Sequence, residues 1–132
     1  MVIKVLDSYA LMAFLQDEPG AAVVENLILA AGEGKISLAM CVVNLGEIWY
    51  STTRVVSIDA ADRYIQQIQG MEIELVDADW KLSRQAAFYK SKGGISYADC
   101  FAAALARTRN AELVTGDKEF RKLENEIKIA WL

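Results

Sequence analysis

Histidine is absent from this 132-residue chain, cysteine occurs twice and proline once. Without imidazole the commonest general base at neutral pH is missing, together with the nucleophile–base pairs built on it and every zinc site that needs a histidine ligand. Catalysis, if there is any, rests on carboxylates. Cys41 and Cys100 lie far apart and each is flanked by residues typical of a core. Two buried free thiols in a reducing cytoplasm are therefore expected rather than a disulfide. No stretch approaches the roughly 18 apolar residues needed to span a bilayer. The opening run Met1 to Leu6 is too short for the apolar region of a secretory signal, so neither export nor membrane insertion is expected. Basic charge is also scarce: 14 Lys and Arg against 18 Asp and Glu leave a formal charge of -4. That balance is unlike a general nucleic-acid binder, so any contact with nucleic acid must be local.

What is present is enough apolar sequence, 54% of the chain, to bury a core. The length suits one domain over residues 1–132, with no internal repeat, low-complexity tract or linker-like run. Short apolar, β-branched runs predict strands at Val2–Leu6, Ile36–Met40, Ile73–Val76, Leu113–Thr115 and Ile127–Trp131. Between them, helical spacing and breakers predict helices over Tyr9–Gln16, Ala21–Ala31, Val42–Val56, a segment from Ser57 to Gln69, Asp79–Lys92 and Ser96–Asn110. A short helix is expected around Lys118–Leu123. Strands alternating with helices imply an α/β fold, a parallel sheet sandwiched between helices.

Four acids occupy the places where such a fold gathers ligands. Asp7 follows the first strand and Asp117 the fourth, and both carboxylates enter one crevice if those strands are neighbours. Glu47 sits on a helix among Leu45, Gly46, Ile48 and Trp49, with Asn44 one turn before and Tyr50 and Ser51 one turn after. A carboxylate in that setting wants a cation. Asp99 lies in the first turn of the helix that Ser96 caps. Three or four carboxylates within a few ångströms of each other repel and take up protons unless a divalent ion neutralises them. Oxygen ligands favour Mg2+ or Mn2+, and a water polarised by such an ion can attack a phosphodiester. Ser8 and Thr115, next to the proposed ligands, are placed to orient them.

Each acid also has an ordinary explanation. Asp7 can be a helix N-cap, Ser96-x-x-Asp99 a capping box, and Asp117 after Gly116 a turn residue. Glu47 alone is hard to explain in that way, so the site argument depends on the four occurring together. Lys90, Lys92, Arg107, Arg109, Lys118, Arg121 and Lys122 are either scattered surface charge or a phosphate-contacting rim. Trp49, Tyr50, Trp80, Phe88 and Tyr89 fall on amphipathic helices, where aromatic residues serve core or interface.

The ordered set Val5-Leu6-Asp7-Ser8, Asn44-Leu45-Gly46-Glu47, Ser96-Tyr97-Ala98-Asp99 and Val114-Thr115-Gly116-Asp117 resembles the PIN-domain nucleases, in particular VapC-like toxins of prokaryotic toxin–antitoxin pairs. The resemblance implies a Rossmann-like three-layer α/β/α sandwich in which Asp7, Glu47, Asp99 and Asp117 ligate Mg2+ or Mn2+ and act catalytically. It further implies a homodimer, endonucleolytic cutting of structured RNA such as tRNA, and inhibition by a VapB-like antitoxin. Two other readings compete. One is a catalytically silent PIN-like binding module; the other is a receiver-like signalling domain, for which Asp77 is the only available phosphate acceptor.

Overall fold

The computed structural model describes residues 1–132. All five strands form: β1 (Ile3–Leu6), β2 (Ser37–Cys41), β3 (Ile73–Val76), β4 (Glu112–Thr115) and β5 (Lys128–Trp131). They alternate with α1 (Ser8–Leu15), α2 (Ala21–Gly32), α3 (Val42–Val55), α4 (Ile58–Gln69), α5 (Trp80–Ser91) and α6 (Tyr97–Thr108). Several of the helix starts are written in the sequence as side-chain caps. Asp7, Ser57, Asp79 and Ser96 each accept a backbone N–H of the first turn, which satisfies one of the donors that a helix N-terminus leaves free. The segment Lys118–Leu123 is a 3-10 helix rather than an α-helix, and Asp117 caps it.

The sheet is wholly parallel, in the order β3-β2-β1-β4-β5. Beyond the Lys4–Glu112 ion pair at their amino ends, its central strands are largely apolar on both sides because each face is covered by helices. Side-chain alternation divides the core accordingly. Val5, Ala39 and Leu113 point into the layer of α5 and α6, whereas Leu6, Met40 and Val114 point into the layer of α1 to α4. Together these make the expected three-layer α/β/α sandwich. In α6 every residue from Asp99 to Ala106 is buried, and its run of small alanines lets the helix be enclosed by the sheet and α5. No helix is long and apolar enough to cross a membrane. Both cysteines are buried and unbonded.

The topology fixes where ligands can gather. The chain runs outward from β1 through β2 to β3, then returns to the other side of β1 as β4. The carboxyl ends of β1 and β4 therefore flank the point at which strand order reverses, and a crevice opens there.

Candidate functional site

Asp7, one residue beyond β1, is 1% exposed. One of its oxygens, Oδ1, accepts the Ala10 N–H at 2.9 Å and so caps α1. The other, Oδ2, accepts the hydroxyl of Thr115 at 2.5 Å. Thr115 ends β4, is fully buried, and its Oγ1 in turn accepts the Asp117 N–H at 3.0 Å. A single hydroxyl thus ties the first strand's acid to the loop that carries the fourth.

Glu47 projects from α3 and is half-buried. Its Oε1 accepts from Ser8 Oγ and from Asn44 Nδ2, both at 3.0 Å, and Oε2 has no protein partner. Asn44 is fully buried, and its amide also donates to the Ala98 carbonyl at 3.1 Å, joining α3 to the first turn of α6. Asp99 stands on that turn, 7% exposed, with its N–H donating to Ser96 Oγ. Asp7, Glu47, Asp99 and Asp117 line one cleft of about 330 Å³, together with Ser8, Ser51 and Ser96. The four acids named from sequence are brought together, with Ser8 hydrogen-bonded to Glu47 and Thr115 to Asp7. Tyr50, placed from sequence on the Glu47 side, is instead exposed and takes no part in the cleft wall.

A fifth acid was not singled out from sequence. Glu119 lies with Asp99 and Asp117 so that ligand oxygens of all three fall within 4.8 Å of one another. The signal was the spacing Asp117-x-Glu119. With Asp117 as the cap, its Oδ1 takes the Glu119 N–H at 3.0 Å, which draws the two residues to one side.

The electrostatics follow from burial. Loss of water raises the Asp7 carboxyl to about 7, opposed by its hydrogen bonds from Thr115 and Ala10 and reinforced by Asp99 and Asp117. Asp99 is likewise raised to about 7 by burial first, then by repulsion from Asp117 and Glu47. No lysine or arginine lines the cleft, so this negative charge has no counter-charge from the protein. The donor set fits a hard divalent cation: carboxylate oxygens with few neutral competitors, one of them, Glu47 Oε2, unpartnered.

Two remaining expectations from sequence can be placed. Asp77 follows β3 at the edge of the sheet, with β2 between it and β1, and is exposed. It is therefore not beside Asp7, as a receiver-like acceptor would have to be. Of the seven basic residues in the possible rim, five have partners elsewhere on the chain. Lys92 pairs with Glu126 and Arg109 with Glu74. Lys90, Arg107 and Lys122 donate to the carbonyls of Ile95, Glu126 and Gly94.

Comparison with known proteins gives a consistent picture. The family model described as the PIN domain matches residues 4–126. No match was found among curated proteins. Among solved structures, the chain is similar to VapBC2 from Rickettsia felis bound to a DNA fragment from its promoter, at 19% identity and TM-score 0.75, covering 98% of each chain. DNA-bound VapBC from Salmonella typhimurium is 17% identical with TM-score 0.74, also with 98% of each chain covered. VapC20 of Mycobacterium tuberculosis, a sarcin-ricin loop cleaving toxin, is 16% identical with TM-score 0.71, covering 90% of this chain and 93% of that one.

Proposed function

Because the chain belongs to the PIN-domain family, we propose that it is a metal-dependent endoribonuclease, a VapC-like toxin that hydrolyses phosphodiester bonds of structured RNA. Residues 1–132 form its single nuclease domain. The observation that carries the reading is the convergence of Asp7, Glu47, Asp99 and Asp117 on one cleft without a basic residue. Buried carboxyls with no counter-charge are costly to keep ionised, and a cation is the natural compensation.

In this reading the four acids hold Mg2+ or Mn2+, with Glu119 beside Asp99 and Asp117. When bound, the ion supplies Lewis-acid polarisation of a phosphate oxygen and of a water. The chain's own work is placement. Thr115 directs its hydroxyl proton at Asp7 Oδ2 and keeps that carboxylate facing the cleft. Ser8 and Asn44 together fix Glu47 Oε1, leaving Oε2 as the free donor. Asn44 also locks the turn from which Asp99 projects. Such outer partners typically change metal affinity or activity by about ten- to a hundredfold.

The fold shared with VapBC structures favours a VapB-like antitoxin as partner; a homodimer acting in the cytoplasm is the assembled state this reading carries. Transfer RNA and ribosomal RNA loops are the substrates to try first. The test is cleavage of such RNAs by the native chain and by Asp99→Asn, with Mn2+, with Mg2+ and with chelator. Cleavage should require the metal, stop with chelator, and fall on the order of a hundredfold or more in the variant. Equal cleavage by both proteins, or cleavage indifferent to chelator, overturns the proposal.

A further inference from the structure

The cleft's acids account for a cation but not for how the flanking nucleotides of a polyanion are held. Lys92 and Arg109 are paired with carboxylates, and no lysine or arginine lines the cleft itself. A cleft walled by carboxylates repels every phosphate except one neutralised by the ion. Within the cleft itself, the remaining grip has to come from uncharged contacts.

One side chain in the cleft is built for that. Tyr9, the second residue of α1, is the one aromatic group among the lining residues, and it stays 45% exposed. Its ring edge lies against the backbone of Gly116. A Cβ on residue 116 would meet Tyr9 Cε1 at 2.3 Å and Cζ at 2.7 Å, so the glycine is what lets the ring sit there. The ring is thus seated beside the loop that carries Asp117, with about half its surface open. By contrast Tyr97, on the same turn as Asp99, packs on the Phe101 ring at 5.0 Å and does not line the cleft. Met12, one turn after Tyr9 on α1, extends the apolar wall.

Resting on the ribonuclease reading above, we infer that Tyr9 is the platform on which the base of a nucleotide next to the scissile phosphate stacks. Every base has a π-face, so the contact selects an unstacked nucleotide rather than a particular base, and its removal costs roughly five- to a hundredfold in affinity. A duplex, whose bases are already stacked, cannot use it.

The experiment compares steady-state cleavage of a hairpin RNA, in Mn2+, by the native chain, Tyr9→Leu and Tyr9→Phe. Each protein is also given the same RNA with an abasic nucleotide beside the mapped cleavage point. Tyr9→Leu keeps bulk over Gly116 but has no π-face. It should raise KM roughly tenfold or more and leave the thermal stabilisation by Mn2+ at the native value, while Tyr9→Phe recovers most of the loss. The abasic RNA should penalise the native chain by a similar factor and Tyr9→Leu by little more. An unchanged KM in Tyr9→Leu, or penalties that simply multiply, overturns the stacking platform while the nuclease stands. If the native chain cleaves no RNA in Mn2+, the ribonuclease reading falls and takes this inference with it.

Discussion

Replacing Asp7 by asparagine should stabilise the metal-free protein above neutrality and leave it little changed in mild acid. The Asp7 carboxyl titrates at 3.8 when unperturbed and is raised to about 7 in the fold, chiefly by burial. Between those values the folded chain keeps a proton that the unfolded chain has released, so stability falls as pH rises. Each pH unit in that window costs about 1.4 kcal/mol, and the full penalty at pH 8 is about 4 kcal/mol. Asparagine cannot ionise and escapes the penalty. It still offers an oxygen to the Ala10 N–H but turns an amide toward the Thr115 hydroxyl, a loss of about 1 kcal/mol. The variant should therefore be about 3 kcal/mol more stable than the native chain at pH 8, and within about 1 kcal/mol of it at pH 5. For a chain of this size the difference at pH 8 is a rise in Tm of roughly 10 °C.

Thermal melts in chelator from pH 5 to pH 8 measure it. Asp99, also raised to about 7, remains in both proteins, so the variant keeps a shallower slope rather than none. Added Mn2+ should raise the native Tm, because a ligand that binds only the folded state stabilises it, and should do far less for the variant. Parallel stability curves for the two proteins, or a variant less stable at pH 8, would refute the account of Asp7 as an uncompensated buried charge.

Three further outcomes follow from the same contacts. Thr115→Val removes the donor to Asp7 and the acceptor for the Asp117 N–H at a fully buried position, and should cost about 1–3 kcal/mol in urea unfolding; Thr115→Ser should recover most of it. Gly116→Ala sets a methyl against the Tyr9 ring and should destabilise by about 1–3 kcal/mol, a loss that Tyr9→Ala in the same chain relieves, giving a non-additive double-mutant cycle. Leu113→Ala, in the fully buried centre of β4, should cost about 2–5 kcal/mol by denaturant midpoint without altering the pH slope assigned to Asp7.

Strand and helix order was legible because the apolar runs are short, the breakers are local and the caps are spelled out by Asp7, Ser57, Asp79 and Ser96. Element ends move by a residue or two, as when Cys41 joins β2 and Asn110 falls outside α6. Depth was less legible. Glu47 looks the hardest acid to explain from sequence, yet it is Asp7 that proves the most buried. Its role as an N-cap is real, and a residue that caps with one oxygen leaves the other for a different task; sequence shows the first and hides the second. The Asp117-x-Glu119 spacing puts Glu119 beside Asp117, but its proximity to Asp99 arises from a 3-10 turn meeting α6, a contact between distant segments that no local pattern encodes. The paired state of Lys92 and Arg109 was hidden for the same reason.

The sheet order has a further consequence for a protein as it is being made. The residue that orients Asp7 arrives 108 positions later, on a strand that must slot in beside the first one. A growing chain that ends before β4 has Asp7, Glu47 and Asp99 but lacks Thr115 and Asp117, and so holds no complete cleft. On the ribonuclease reading, a nascent polypeptide cannot attack the translation machinery producing it; competence arrives only once β4 and Asp117 are available to fold.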